Sequence, residues 1–450
     1  MSRARRQVQV GQDKRHGGSC YVTAILVVVA AVAVALYVLR GTDSPSTQAH
    51  LAHGIIVPRR PLGNATYREV AELRIPLIIT SSVAEKWRAR KHFTTAFLSK
   101  KLSHVMAYKQ ETNRVFKTFH DNKALEPLVN EKWEDFNLKV NVTIPQVLAW
   151  PSPSPHMGPY LYFSQKLVTL RPMFPDILDY VQPLSDLILN TENIQVNLWI
   201  GRRGITTHTH YDATFNFFVQ LQGKKRFTLI PPSEPMYLYP CLHPHYGHSQ
   251  IDIAEPNLDQ FAAYRPQPHI AEVGPGDMLV VPPFWFHHVE TLEESVSVNV
   301  WSNAPEFALI NEIYTKALPF EESWGQPDLI RATRVFIDMI LASLNITDHS
   351  SFLETHLLLQ RYQPIVQSGN LLVNRTLVTD IAELCEQTDW IAARTHFQPL
   401  FASRVNVIGV LFSAFPGRNA MNICLGNYVE HLISTVAGPQ NVFPFLVGCV

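Results

Sequence analysis

Residues 194–200 are apolar at every second position, with Ile194, Val196, Leu198 and Ile200 separated by Gln195, Asn197 and Trp199. A period of two is what a strand buried on one face requires, and it argues against a helix over the same stretch. The pattern returns at 295–301 (SVSVNVW). Two more apolar runs, 215–221 and 226–230, flank Gln222-Gly223-Lys224, a spacing that predicts a glycine-containing hairpin. Pro275-Gly276-Asp277 predicts a tight turn into a strand over 278–281. Short strands separated by turn signals confine the centre of the chain to a sandwich or barrel, and the expected form is mainly β, a double-sheet jelly roll or double-stranded β-helix.

The flanks read differently. Residues 75–80 (IPLIIT) predict a buried strand, 83–102 a helix, and the proline-punctuated 141–154 irregular chain. From 307 onward apolar residues recur three and four apart, which predicts helices over 329–344, 351–359 and 378–396. These helices either cap the barrel or form a dimer surface, and residues 365–450 suggest no role of their own.

His210 and Asp212 stand two apart, so on a strand both side chains point to one face. His287, in the run 282–288 (PPFWFHH), follows the Pro-Gly-Asp turn and its strand, where a neighbouring strand can bring it alongside. Two imidazoles and one carboxylate on one face of an octahedral metal leave three positions open, the arrangement of non-haem Fe(II) oxygenases. An isolated histidine and aspartate two apart mean little; the strand context and the distal histidine give the pair its weight. His288 points opposite to His287 by strand alternation. His208 faces the same way as His210 and reads as a rim residue. His243, His245 and His248 sit on an expected loop without acidic partners, which suits a substrate-contacting or surface loop better than a second metal site.

Residues 207–232 (THTHYDATFNFFVQLQGKKRFTLIPP) and 274–301 (GPGDMLVVPPFWFHHVETLEESVSVNVW) resemble the JmjC/cupin-8 family of Fe(II)- and 2-oxoglutarate-dependent oxygenases. Within it they most resemble the asparaginyl hydroxylases of the factor-inhibiting-HIF type. The likeness runs from about residue 65, through YLYFSQKL at 160–167, to Arg361-Tyr362. It implies a metal triad of His210, Asp212 and His287 holding Fe(II), with 2-oxoglutarate as cosubstrate and O2 as oxidant. It also implies that Lys225 pairs with the distal carboxylate of 2-oxoglutarate, helped by Thr207 and Tyr162, with Asn216 and Asn299 near the chelating end. The residues agree with this, because a lysine among Phe217, Phe218 and Phe227 is costly to bury without an anion. Alternation favours Lys225 over Lys224 for that role.

The chain departs from the asparaginyl hydroxylases in one place. Their Arg-Gln pair, which grips the target amide, is replaced here by Gly247-His248 ahead of Ser249-Gln250, and glycine has no side-chain donor. The resemblance therefore implies a dioxygenase that hydroxylates a protein or peptide, without specifying asparagine. JmjC-type demethylation, nucleotide hydroxylation and a non-catalytic cupin binding module are the alternatives.

Lys+Arg and Asp+Glu are both 38, so no basic excess points to nucleic acid. Local charge is informative at the N-terminus, where Arg3, Arg5, Arg6, Lys14 and Arg15 face the single acid Asp13 ahead of residues 21–39, nineteen positions without a charge. That length can cross a bilayer, and the positive flank keeps the N-terminus cytosolic. The expectation is a single-pass type II membrane protein: a cytosolic tail over 1–20, a signal anchor over 21–39, a stem over 40–64, the catalytic domain over 65–305 and a helical region over 306–450. Its catalytic domain would lie in the lumen of the endoplasmic reticulum or Golgi, or outside the cell. A cleaved signal peptide and a mitochondrial presequence are the competing addresses. Sequons at Asn64, Asn141, Asn345 and Asn374 suit a glycoprotein. Cys241, Cys385, Cys424 and Cys449 allow two disulfides in three pairings, or buried thiols. The C-terminal helices resemble the dimer-forming pair of the same family, so a homodimer is expected.

Overall fold

The computed structural model describes residues 54–110, 114–116, 138–149, 159–189, 194–234, 238–261, 264–369 and 375–450. The expected tail, anchor and most of the stem lie outside these residues, as does Asn374. Among the described residues no helix is long and apolar enough to cross a membrane. Asn64, Asn141 and Asn345 are exposed.

In chain order the strands are β1 (Ile55–Ile56), β2 (Arg59–Arg60), β3 (Leu77–Ile79), β4 (Val105–Gln110), β5 (Val115–Phe116), β6 (Lys139–Val142), β7 (Tyr160–Lys166), β8 (Ile194–Gly201), β9 (Thr206–His210), β10 (Thr214–Gln222), β11 (Lys225–Ile230), β12 (His269–Val273), β13 (Met278–Val281), β14 (Phe286–Thr291) and β15 (Ser295–Asn303). They form two sheets, one in the order β1-β12-β11-β14-β9-β5 and one in the order β2-β3-β13-β10-β15-β8-β7-β4-β6.

Alternation along β8, β10 and β15 decides what each face of the larger sheet does. Val196, Leu198 and Ile200, with Phe215, Phe217, Val219 and Val296, Val298, Val300, pack into one core with Trp87, Phe93 and Phe174 from the N-terminal flank. Each such side chain contributes about 2 kcal/mol on leaving water. The intervening residues are polar yet buried, among them Asn197, Asn216, Gln220 and Asn299. Phe218 on that second set packs with Phe227, Leu229, Val281 and Val289, so the two sheets share a separate apolar core.

Gly223 does not close a hairpin as its spacing suggests. Strand β10 already pairs with β13 and β15, and β11 pairs with β12 and β14, so the turn carries the chain from one sheet to the other. Its φ is +66°, and a Cβ there would lie 2.0 Å from the Glu294 carbonyl oxygen. Only glycine fits.

Other expectations need correction as well. The run 83–102 is three short helical segments, Val83–Lys86, Ala89–His92 and Thr95–Lys101, because Ser82 and Thr94 cap new starts and Trp87 is extended. Residues 139–148 are ordered rather than irregular: β6 runs into the helix Ile144–Leu148, which a Thr143/Gln146 capping box starts and where Pro145 sits harmlessly in the first turn. The helix expected over 378–396 breaks into Arg375–Glu386 and Trp390–Ser413, since Asp389 caps Ile391 and Ala392. The one expected over 351–359 is the segment His349–Leu353 followed by a π-helical stretch, Glu354–Tyr362.

Downstream, the helices Gln326–Ser343, Trp390–Ser413, Arg418–Val436 and Val442–Gly448 pack into one core that includes Phe336, Phe401, Tyr428 and Ile433. Residues 365–450 thus form part of a continuous helical core that also receives Phe284 and Phe286 from the barrel. Cys385 and Cys449 form a disulfide with a Cα–Cα distance of 5.3 Å, the one bridge among the described residues instead of two.

Candidate metal centre

Strands β9 and β14 are neighbours, and their register sets His210 opposite His287. Asp212 follows two residues later, where the chain has left β9. One potential ligand atom from each of the three lies within 4.8 Å of the other two. The imidazole rings of His210 and His287 are 4.3 Å apart, and Nε2 of His287 is 3.8 Å from Oδ2 of Asp212. Among the described residues no other cluster of this kind occurs, so His243, His245 and His248 form none.

Hydrogen bonds fix which atoms face the centre. Nδ1 of His210 lies 2.7 Å from the His208 carbonyl oxygen, and Nδ1 of His287 lies 2.9 Å from that of Trp285. A carbonyl only accepts, so both Nδ1 atoms carry the proton and both Nε2 lone pairs stay free for a cation. Burial holds His287 down to about 4, and the neighbouring His210 adds to this against the pull of Asp212, so its imidazole is neutral at pH 7. Asp212 accepts through Oδ2 from the Trp301 indole at 3.1 Å and from Asn216 at 3.4 Å. Its Phe284 neighbour donates backbone N–H to the Asp212 carbonyl at 2.8 Å.

A cleft of about 520 Å³ opens beside these ligands, lined in part by Tyr108, Tyr162, Thr207, His210, Asp212 and Trp301. Lys225, Asn216, Asn299 and His287 are buried. Lys225 is 1% exposed, and its Nζ donates to the Tyr162 hydroxyl at 3.1 Å between the rings of Tyr162 and Phe218. No carboxylate of the described residues pairs with it. An ammonium buried against aromatic rings with a phenol as its hydrogen-bond partner calls for an anion. Asn216 and Asn299 join in a chain of amides: Asn299 Nδ2 donates to Asn216 Oδ1 at 3.1 Å, while Asn299 Oδ1 accepts from Asn197 at 3.0 Å and Trp199 at 2.7 Å.

Sequence reading missed Trp301, Trp199 and Asn197. The signal was present, since all three sit on the polar set of the alternating strands, but which of those side chains meet is decided by the pairing of β8 with β15. His208 is buried, not a rim residue, and its Nε2 lies 2.7 Å from the Ser249 carbonyl. The Gly247-His248 segment lies along the cleft. His248 is part of its lining, its ring 5.6 Å from that of His210. Ser249 and Gln250 act structurally, the hydroxyl of Ser249 donating to the Leu238 carbonyl and the amide of Gln250 to the Pro240 carbonyl.

The chain is similar to several known proteins. A relative named HSPB1-associated protein 1, from Rattus norvegicus, is 32% identical over 201 residues, 40% of this chain and 41% of that protein. The tRNA wybutosine-synthesizing protein 5 of Mus musculus is 31% identical over 149 residues, 32% of this chain and 44% of that protein. Lysine-specific demethylase JMJ31 of Arabidopsis thaliana is 33% identical over 124 residues, 25% of this chain and 22% of that protein. The chain spans less than half the length of each of these relatives. The model of the Cupin-like domain matches residues 64–306, which include every residue of the centre and the cleft described above. More than half of the chain is covered by that match, and the chain belongs to the cupin-like, JmjC-type domain family.

Proposed function

We propose that this protein is an Fe(II)- and 2-oxoglutarate-dependent oxygenase that hydroxylates a protein or peptide. The observation that carries this reading is the grouping of His210, Asp212 and His287 with both Nδ1 atoms tied to carbonyls, so that two Nε2 atoms and a carboxylate are left to share a cation. That donor set suits Fe(II) and leaves room for further ligands. The buried Lys225, held by Tyr162, fits the distal carboxylate of 2-oxoglutarate, and Tyr162 and Thr207 both line the cleft.

Bound there, iron, 2-oxoglutarate and O2 would supply the oxidising power for a C–H bond, releasing succinate and CO2. The chain's own part is placement. Lys225 and Tyr162 fix one end of the cosubstrate, the amides of Asn216 and Asn299 offer polar contacts near the other, and the aromatic walls exclude water. The test is O2-dependent succinate formation by the iron-loaded protein. Turnover that persists undiminished in His210→Ala sinks the assignment.

The relatives named as a lysine demethylase and as a tRNA wybutosine-synthesizing protein favour demethylation and nucleotide hydroxylation as second readings. Formaldehyde release distinguishes demethylation. The likeness to asparaginyl hydroxylases bears on the cosubstrate pocket only, because Gly247-His248 removes their amide grip.

Two placements accompany this reading. The Cys385–Cys449 disulfide favours an oxidising compartment, in line with an anchor at 21–39 and a lumenal or extracellular domain, and glycosidase sensitivity at Asn64, Asn141 and Asn345 tests it. Exposed Leu400, Val407 and Val410 on the helix Trp390–Ser413 support a homodimer through the C-terminal helices. Sedimentation of Val407→Asp against wild type tests that.

A further inference from the structure

Tyr211 stands between the ligands His210 and Asp212. Its ring stacks on Phe284 with centroids 5.1 Å apart and meets Phe286 edge-on at 4.9 Å, the residues that lead into His287. Its hydroxyl accepts a hydrogen bond at 2.8 Å from Nδ2 of Asn427, which belongs to the helix Arg418–Val436. The orientation of that amide is settled by chemistry, because Arg361 donates to Asn427 Oδ1 at 2.7 Å and a guanidinium cannot accept. The amide NH2 must therefore face Tyr211.

The same link extends further. Arg361 also pairs with the Glu430 carboxylate at 2.5 Å, and both side chains are almost wholly buried. The other oxygen of Glu430 accepts from the Tyr362 hydroxyl at 2.8 Å and from the backbone N–H of His243 at 3.0 Å. Gln250 donates to the Arg361 carbonyl at 2.9 Å. His243 and Gln250 bracket the segment that carries His248 into the cleft, and this segment is bonded to the ligand strand: Tyr211 donates backbone N–H to Gly247 and Ser249 to Thr209. One buried polar network thus reaches from the C-terminal helices to the metal-bearing turn and to the wall of the cleft. In such surroundings each lost partner leaves a polar group unpaired, so the network has few alternative geometries.

We propose that Asn427 is a positioning residue for the metal centre, holding Tyr211 by its hydroxyl so that His210 and Asp212 keep the spacing a shared cation needs. The inference rests on reading His210, Asp212 and His287 as metal ligands. It makes the helices beyond the matched domain part of the site rather than a cap.

The experiment titrates Co(II), a redox-stable probe, into metal-free full-length protein and records affinity and the visible absorption spectrum, with the thermal midpoint of the metal-free form alongside. Tyr211→Phe removes one oxygen and keeps the stacked ring; Asn427→Leu removes the amide. Each is expected to weaken Co(II) binding about tenfold, the lower end for groups that orient ligands, and to shift the cobalt spectrum. The double variant is expected to be no weaker than the worse single one, since both break the same link. Should Asn427→Leu fail to fold, Tyr211→Phe alone decides. Unchanged affinity and spectrum in Tyr211→Phe, with only the midpoint lowered, overturn the proposal. Wild-type protein that binds no Co(II) overturns the metal reading itself, and this inference with it.

Discussion

Trp301 donates its indole N–H to Oδ2 of Asp212 at 3.1 Å, so a strand of the nine-stranded sheet steadies a carboxylate that lies just past the end of a strand in the other. Groups of this sort aim a ligand without touching the metal. Trp301→Phe is expected to keep the ring and lose the donor. Metal affinity should fall by roughly ten- to a hundredfold, measured by calorimetric titration, with little change in unfolding midpoint. An unchanged affinity would show that Asn216 alone suffices to orient Asp212.

Lys225 sets stability against binding. Lys225→Met removes a buried ammonium while filling nearly the same volume, and should stabilise the ligand-free protein by about 1–3 kcal/mol in urea unfolding. It should also raise the KM for 2-oxoglutarate by at least about a hundredfold, as expected when a charged anchor loses its partner. Iron affinity should not move. A mutant that binds 2-oxoglutarate as tightly as wild type removes Lys225 from the pocket.

His431, on the helix Arg418–Val436, has its ring 5.0 Å from that of His243. Burial, with His243 as a second cause, holds His431 down to about 4. A folded pKa below the unfolded value of about 6.5 means that the unfolded chain binds the proton first as pH falls. Stability from this source is complete above about pH 6.5 and is lost progressively toward pH 4. His431→Gln should therefore lose less stability than wild type between pH 7 and pH 5, by about 1 kcal/mol after allowing for its partial exposure. Equal pH slopes in urea titrations of the two proteins would contradict this.

The Cys385–Cys449 bridge closes a separation of 64 residues and ties the helix Arg375–Glu386 to the end of the chain. Loop-closure entropy for that length is worth about 4 kcal/mol. Cys449→Ser, or reduction of the wild type, should lower stability by that order. Both forms should retain metal binding, because the bridge lies in the helical region and the ligands in the barrel. Loss of metal binding on reduction would mean that the helices transmit more than the network around Asn427 accounts for.

Alternation at Ile194–Ile200 and Ser295–Trp301 was enough to place β8 and β15, since a period of two admits no other element. The same local logic named His287 over His288 and expected Lys225 rather than Lys224 to be the buried lysine, whereas Asp212 lies just past β9 and joins His210 through the turn instead of by strand alternation. Failures came where a residue's partner lies far away in the chain. Gly223 looks like a hairpin glycine until the partners of β10 and β11 are known, and they come from strands 40 or more residues downstream. Caps at Thr94 and Asp389 were legible too, but periodicity over long windows overrode them.

What the sequence determined by itself was therefore local: strand identity, the facing of side chains on each strand, and the three residue types able to share a cation. Tertiary structure alone decided how far apart those three stand, which ring nitrogens are committed to carbonyls, and that Asn427 meets Tyr211 across 216 residues. The reason is that side-chain direction follows from backbone period within a few residues, whereas hydrogen-bond partners across sheets and helices depend on how separate elements pack.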